Sequence, residues 1–134
     1  MYSIARQKGM SISGWLLILL VGSFFLLCAF RMAPAYLDNS FIQDGLLSFS
    51  ETEKKIDEMS DRDFQRHMAD YMMMNNVRDL SPKQLKIQRE RDRILLNFDY
   101  EVRVPIVYNI DVVMTFKNQW DSSRPFECCK PAGE

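Results

Sequence analysis

The chain is short of the residues from which most active sites are built. It has one histidine, His67, three cysteines and five glycines in 134 residues. Five scattered glycines make no phosphate-cradling loop, and neither a P-loop nor a dinucleotide fingerprint is present. No zinc-type Cys/His spacing occurs, and no Ser-His-Asp grouping rises above chance. The sequence therefore asks for no cofactor, no metal and no catalytic residue, and the expectation is a non-enzymatic protein. A formal net charge of −1 gives no electrostatic footprint for nucleic acid.

The most informative absence is local. Residues 10–30 contain no Asp, Glu, Lys, Arg or His; 16 of these 21 positions are hydrophobic, and the rest are Ser11, Ser13, Gly14, Gly22 and Ser23. All 17 basic and 18 acidic residues lie elsewhere. The averages of 47% hydrophobic and 26% charged thus conceal an apolar rod joined to a polar domain. That division excludes a plain cytosolic globule. The apolar residues kept by the polar part exclude a disordered tail.

As a helix, the rod rises about 1.5 Å per residue and spans roughly 31 Å, the thickness of a bilayer's hydrocarbon core. Arg6 and Lys8 flank one end and Arg31 the other, with Trp15 and Tyr36 near the two boundaries. The N-terminus has basic residues and no acid, whereas Asp38, Asp44, Glu51 and Glu53 follow the rod before the next lysine. The positive-inside rule then places the N-terminus in the cytoplasm and the polar domain outside. A cleaved signal peptide is the rival reading, since Ala33-Pro34-Ala35 has small-x-small form; Pro34 and the length of the run favour an uncleaved anchor. Ser11, Gly14, Gly22 and Ala29 fall within a helical arc of about 80°. They form either a contact stripe for another membrane helix or the ordinary small-residue content of a membrane span.

Pro34 is expected to kink or loosen the helix beyond the bilayer. Leu37, Phe41, Ile42, Leu46 and Phe49 then give an apolar face on an extension of the rod, which Gly45 weakens. Ser50-x-x-Glu53 reads as a capping box, Ser60-x-x-Asp63 as a weaker one. Phe64, Met68, Tyr71 and Met72 follow at helical spacing, and Asn75-Asn76 ends that helix. Met72-Met73-Met74 reads as a helix end with one side chain inward. After Pro82 the period changes to two. Leu85 and Ile87, then Ile94 to Val102, then Tyr108 to Phe116, alternate apolar with largely polar residues. Three such strands form an antiparallel meander whose apolar face needs a helical cover.

The predicted fold is therefore α+β: an N-terminal transmembrane helix, then amphipathic helices packed on a three-stranded antiparallel meander. The divisions are a cytoplasmic basic leader (1–9), the transmembrane helix (10–32), a periplasmic α+β domain (33–120) and an irregular, flexible tail (121–134).

Other features carry two readings each. Lys83, Lys86, Arg89, Arg91 and Arg93 form either a surface for anionic headgroups or an acidic partner, or a strand edge guarded by charge. His67, with Asp63 and Asp70 on its helix face, is either a weak metal site or an ordinary charged surface, the second being preferred. Cys28 reads as inert packing in the rod, and the adjacent Cys128 and Cys129 as free thiols, an intermolecular bridge or a strained ring.

Two resemblances follow from particular residues. Gln7-Lys8-Gly9-Met10-Ser11-Ile12 and Pro34-Ala35-Tyr36 resemble the leader junction and the membrane-segment end of type IV pilins and pseudopilins. Such a resemblance implies a pilin-like arrangement and an assembly subunit of a pilus or secretion system. Pilins carry Glu at the fifth mature position, where this chain has Gly14. The wider resemblance is to an uncharacterised proteobacterial family, domain of unknown function 4845. It rests on Tyr100-Glu101-Val102-Arg103-Val104-Pro105, Asn109-Ile110-Asp111-Val112-Val113 and Phe116, together with the leader, single membrane helix and Pro-Ala-Tyr. Its members are typically encoded beside type I signal peptidase and ribonuclease III. This implies a bacterial inner-membrane accessory protein whose small periplasmic domain binds another membrane protein, with the signal peptidase as candidate partner.

The candidate contact residues are thus Ser11, Gly14, Gly22 and Ala29 on the rod and Arg103, Pro105, Asn109 and Asp111 in the motif. Pro105 belongs at a strand end or edge, and Asn109 at a turn or bulge. Arg103 and Asp111 are in phase to pair across the connection.

Overall fold

The computed structural model describes residues 11–52 and 56–129. Helix α1 spans Ile12–Leu47, helix α2 Asp61–Met74, and strands β1 (Leu85–Arg89), β2 (Ile94–Val107) and β3 (Ile110–Asp121) form one antiparallel sheet in the order β1-β2-β3. The expected α+β arrangement and meander are present. The basic leader, Glu53 of the first capping box and the last five residues lie outside the described range.

Helix α1 is a single element of 36 residues that includes Pro34. The helix runs on past that proline into the polar domain without interruption. The N-terminal part has the length and composition to cross a bilayer, with a mean hydropathy of 2.4 over its most apolar window and none of that window buried by the rest of the chain. From Cys28 onward one stripe turns inward. Cys28, Met32, Ala35, Asn39, Ile42 and Leu46, spaced alternately by four and three, are each shielded in part or in full. Leu37, expected on this face, is 61% exposed because it falls on the opposite side of the helix.

Of the two capping signals, the one read as weaker opens a helix. Ser60 Oγ accepts from the Asp63 backbone N–H, and the Asp63 carboxylate accepts from the Ser60 N–H at 3.0 Å. Ser50 instead donates its hydroxyl back to the Leu47 carbonyl at 2.6 Å, within a 3₁₀ turn that closes α1. Asn75 caps α2 at its end, and Asn76 adopts the left-handed conformation (φ 59°) that asparagine tolerates. Met72 is buried while Met73 and Met74 are exposed, as their spacing predicted.

The core lies where the C-terminal half of α1, α2 and the even-numbered face of the sheet meet. Ile42, Leu46, Phe49, Phe64, Met68, Leu96, Phe98 and Trp120 are fully buried there. Gly45 sets the approach of the two helices. A Cβ on it would stand 2.9 Å from Cδ1 of Tyr71 and 3.1 Å from Sδ of Met68, so the residue that weakens the helix locally is what lets α2 cross it.

The irregular segment after β3 is tied back over residues 122–129. Trp120 Nε1 donates to the Pro125 carbonyl at 3.0 Å, and Asp121 holds Ser123 and Arg93. The sulfurs of Cys128 and Cys129 lie in contact with each other, each 3.7 Å from the Gln43 carbonyl oxygen.

Replacing Gly45 by Val should overpack the α1–α2 crossing and cost about 1–3 kcal/mol. Thermal unfolding of the full chain, followed by circular dichroism in detergent, should show Tm lowered by several degrees. An unchanged Tm would mean that the helices do not cross at this residue.

Candidate functional site

The motif residues gather where α1 leaves its apolar run. Strand β1 pairs with β2 only between Ile94 and Phe98, so from Asp99 onward that side of β2 is open. Pro105 lies on this open stretch, where a missing N–H costs no ladder bond on that side. On the other side β2 and β3 continue in register to Pro105 opposite Asp111, after which Ile106 bulges and Val107 pairs with Ile110. Tyr108 and Asn109 make the tight turn, and Tyr108 carries the positive φ of 47°.

Helix α1 is seated on this sheet by polar contacts as well as apolar ones. Asn39 Oδ1 accepts from Asn118 Nδ2 at 2.7 Å and from the Tyr100 hydroxyl at 3.2 Å, while Gln43 Nε2 donates to Asn118 Oδ1 at 3.2 Å. Asn118 is 2% exposed, so its amide has exchanged water for these partners. One turn nearer the apolar run, the Tyr36 ring meets Phe116 edge-on at 5.5 Å. Still nearer, Arg31 Nη1 donates to the Pro105 carbonyl at 2.8 Å.

Between α1, the open side of β2 and the loop after α2 lies a groove of about 210 Å³, whose lining includes Arg31, Asp38, Asp79, Tyr100, Arg103 and Pro105. Burial pushes the Asp38 carboxyl above the usual carboxylate range, and the nearby Asp79 charge adds to this. Burial also raises the Tyr100 phenol, helped by Asp38. The groove therefore holds two arginines, Arg31 and Arg103, and a carboxylate kept at some electrostatic cost. Between these charges the lining is apolar, with Pro34, Ala35, Leu80, Val102 and Val104.

The predicted residues are distributed unevenly around it. Arg103 and Pro105 line the groove, whereas Asn109 and Asp111 lie at and beside the hairpin turn. The expected Arg103–Asp111 pair does not form. Arg103 faces Val113 across the ladder and instead bridges Glu101 on its own strand at 3.2 Å, both side chains being well exposed. Such a pair contributes no more than about 1 kcal/mol. Gly14, Gly22 and Ala29 lie on α1 before Arg31, whereas Ser11, expected on the same helical stripe, is the extended residue that precedes the helix; a Cβ at Gly14 or Gly22 would meet open space. Arg31, Asp38 and Asp79 were not selected from the sequence. The first two share a helix face (i, i+7), but only the fold brings Asp79 and Tyr100 to them.

Other candidates resolve into structural contacts. The ring of His67 lies 4.6 Å from that of Phe49, and its Nε2 is 2.9 Å from Ser48 Oγ, so it joins the two helices where a charged surface was expected. Burial holds its pKa below the ordinary value, opposed by Asp70. Ser48 spends its one proton on the Gly45 carbonyl at 2.7 Å. No metal-holding group of His, Cys, Asp or Glu occurs among the described residues. The basic stretch is partly consumed: Arg89 holds Asp61 at 2.8 Å and the Met59 carbonyl at 2.6 Å, and Arg93 holds Glu90 at 2.7 Å and Asp121 at 3.2 Å. Its β1–β2 turn is at the end of the sheet remote from Arg31.

Residues 31–116 match the family described as Domain of unknown function (DUF4845), and the chain belongs to that family. The match begins at Arg31 and takes in the groove and the β2–β3 hairpin up to Phe116. Comparison with curated proteins and with solved structures gives no match.

Because Asp38 has a raised folded pKa, its ionised form opposes folding at neutral pH, and that opposition fades as pH falls through the folded value toward 3.8. Asp38→Asn should therefore raise Tm at pH 7, with the gain over wild type shrinking steadily toward pH 4. A variant less stable at pH 7 would show that the carboxylate makes a contact worth more than its desolvation.

Proposed function

We propose that this chain is a single-pass inner-membrane accessory protein without enzymatic activity. Helix α1 crosses the bilayer with its N-terminus in the cytoplasm, and the α+β domain sits on the periplasmic face, where it binds another membrane protein. The observation that carries this reading is the position of the motif. Tyr100 to Pro105 lines a charged groove against residues 31–38 of α1, immediately outside the apolar run. A neighbour anchored in the same membrane meets such a groove at once, whereas a soluble partner would have to approach along the lipid surface.

The candidate partner is type I signal peptidase. Its support is the gene neighbourhood that the family resemblance implies. The stripe of Ser11, Gly14, Gly22 and Ala29 offers a second contact within the bilayer. It lies about a quarter turn from the sheet-facing stripe, so both can be used together.

A photo-crosslinker placed at Arg103 or at Gly22 in the native membrane, with adducts read by mass spectrometry, tests this. The expected result is one reproducible inner-membrane protein captured from both positions, and capture from the Arg103 position reduced several-fold by Gly22→Leu. Lipid adducts alone would overturn the reading.

A pseudopilin-like assembly subunit is the second reading, favoured by the long N-terminal helix lying on an antiparallel sheet. Gly14 weighs against it, because the subunit lacks the carboxylate that would pair with a neighbour's N-terminal amine. Intact-mass measurement of membrane-extracted protein should find residues 1–9 still present. A chain beginning at Met10 would reverse the ranking of the two readings.

A further inference from the structure

The β2–β3 hairpin continues beyond the core it helps to build. Ile106 is still buried at 6% exposure, but Val107 is 45%, Ile110 64% and Tyr108 94% exposed. An exposed Val-Tyr-Asn-Ile turn is an unusual surface for water to cover, and the contacts along α1 show where it points.

Three of those contacts are ordered. Gln43 meets Asn118, Tyr36 meets Phe116, and Arg31 meets Pro105. Moving down this series, the helix runs toward its apolar segment and the hairpin toward its turn. From the level of Tyr36 and Phe116, Ile110 is six strand residues further on, about 20 Å at ~3.3 Å each. Arg31 is five helix residues on, about 7.5 Å. Even with the strand inclined by about 40° to the helix, the turn would pass Arg31 by roughly 8 Å. A separate sign agrees: Cys28, inside the apolar run and in line with the sheet-facing stripe, is partly shielded, while the other residues from 15 to 30 are exposed.

We infer that the hairpin turn, Val107–Ile110, inserts into the interface of the same leaflet that α1 enters at Arg31. The ligand is the headgroup and upper acyl region of the bilayer, and the inference rests on α1 being a membrane span. Tyr108 has the amphipathic ring favoured at that depth. The turn's free backbone groups confine it to the interface, because irregular backbone facing lipid does not survive in the hydrocarbon core. Apolar surface at the turn is continuous in level with the exposed apolar surface of α1, which makes lipid the shared neighbour. Two anchors, a helix and a hairpin joined by the Arg31–Pro105 bond, fix the domain's angle to the membrane. They thereby fix the direction in which the groove faces.

The test uses the full chain in vesicles of phosphatidylethanolamine and phosphatidylglycerol. Cys28, Cys128 and Cys129 are replaced by Ala, and an environment-sensitive nitrobenzoxadiazole label is attached at Tyr108→Cys, at Ile110→Cys or, as an aqueous control, at Arg91→Cys in the β1–β2 turn. Expected for both hairpin labels are blue-shifted emission, quenching by lipid spin-labelled near the headgroup, and several-fold weaker quenching by iodide than at the control. Equal iodide quenching at all three positions would overturn the inference. So would shielding from iodide without lipid quenching, which would mean that a second copy covers the turn. Flotation after alkaline carbonate separates the underlying reading: a chain that floats with an aqueous label defeats the hairpin anchor alone, and a chain that fails to float defeats the membrane span as well.

Discussion

The seating of α1 on the sheet through Asn39, Gln43, Tyr100 and Asn118 is the constraint on which the rest depends. Apolar packing alone leaves a helix free to slide along a sheet face by a turn at little cost, since leucine, isoleucine and phenylalanine are tolerant of one another. A buried amide is not tolerant. Asn118 is 2% exposed, and a shift of α1 would strand its donors and acceptor at about 1–3 kcal/mol each. With Asn39 fixed between Asn118 and Tyr100, Tyr36 falls on Phe116 and Arg31 on the Pro105 carbonyl. The level at which the domain meets the end of the apolar run follows from those contacts.

That same seating defines the groove. Its walls come from α1, the stretch of β2 left unpaired by β1, and the loop after α2, and they bring Arg31 and Arg103 alongside Asp38 and Asp79. Asp38 sits there at the expense of solvation, a local cost that the surrounding core carries. The groove thus lies where the apolar run of α1 ends. The family match over residues 31–116 covers this part of the chain and leaves the apolar run outside.

Much of the architecture was legible from periodicity. The switch from helical spacing to alternation after Pro82 marked the meander, and Asn75-Asn76 marked the end of α2. The errors have specific causes. Gly45 looked like a weakness because helix propensity is local, whereas its value is the room it leaves for Tyr71 and Met68. Arg103 was assigned to Asp111 on phase alone. Register puts Val113 opposite Arg103, and Glu101 on the same strand is the partner it takes. His67 looked like a surface residue because its two carboxylate neighbours in sequence are visible, while Ser48 and Phe49, which enclose it, arrive from another helix.

The sequence by itself determined that an uncharged apolar run of bilayer length joins a small α+β domain, and that the domain contains one antiparallel meander. These follow from composition and period, which are properties of the chain read in order. The tertiary structure alone decided that the Tyr100–Pro105 motif faces Arg31 and Asp38, that the basic stretch is at the remote end of the sheet, and that the hairpin turn points along the apolar helix. Each of these relates residues more than fifty positions apart, and only the polar seating of α1 on β2 and β3 sets their distance and direction.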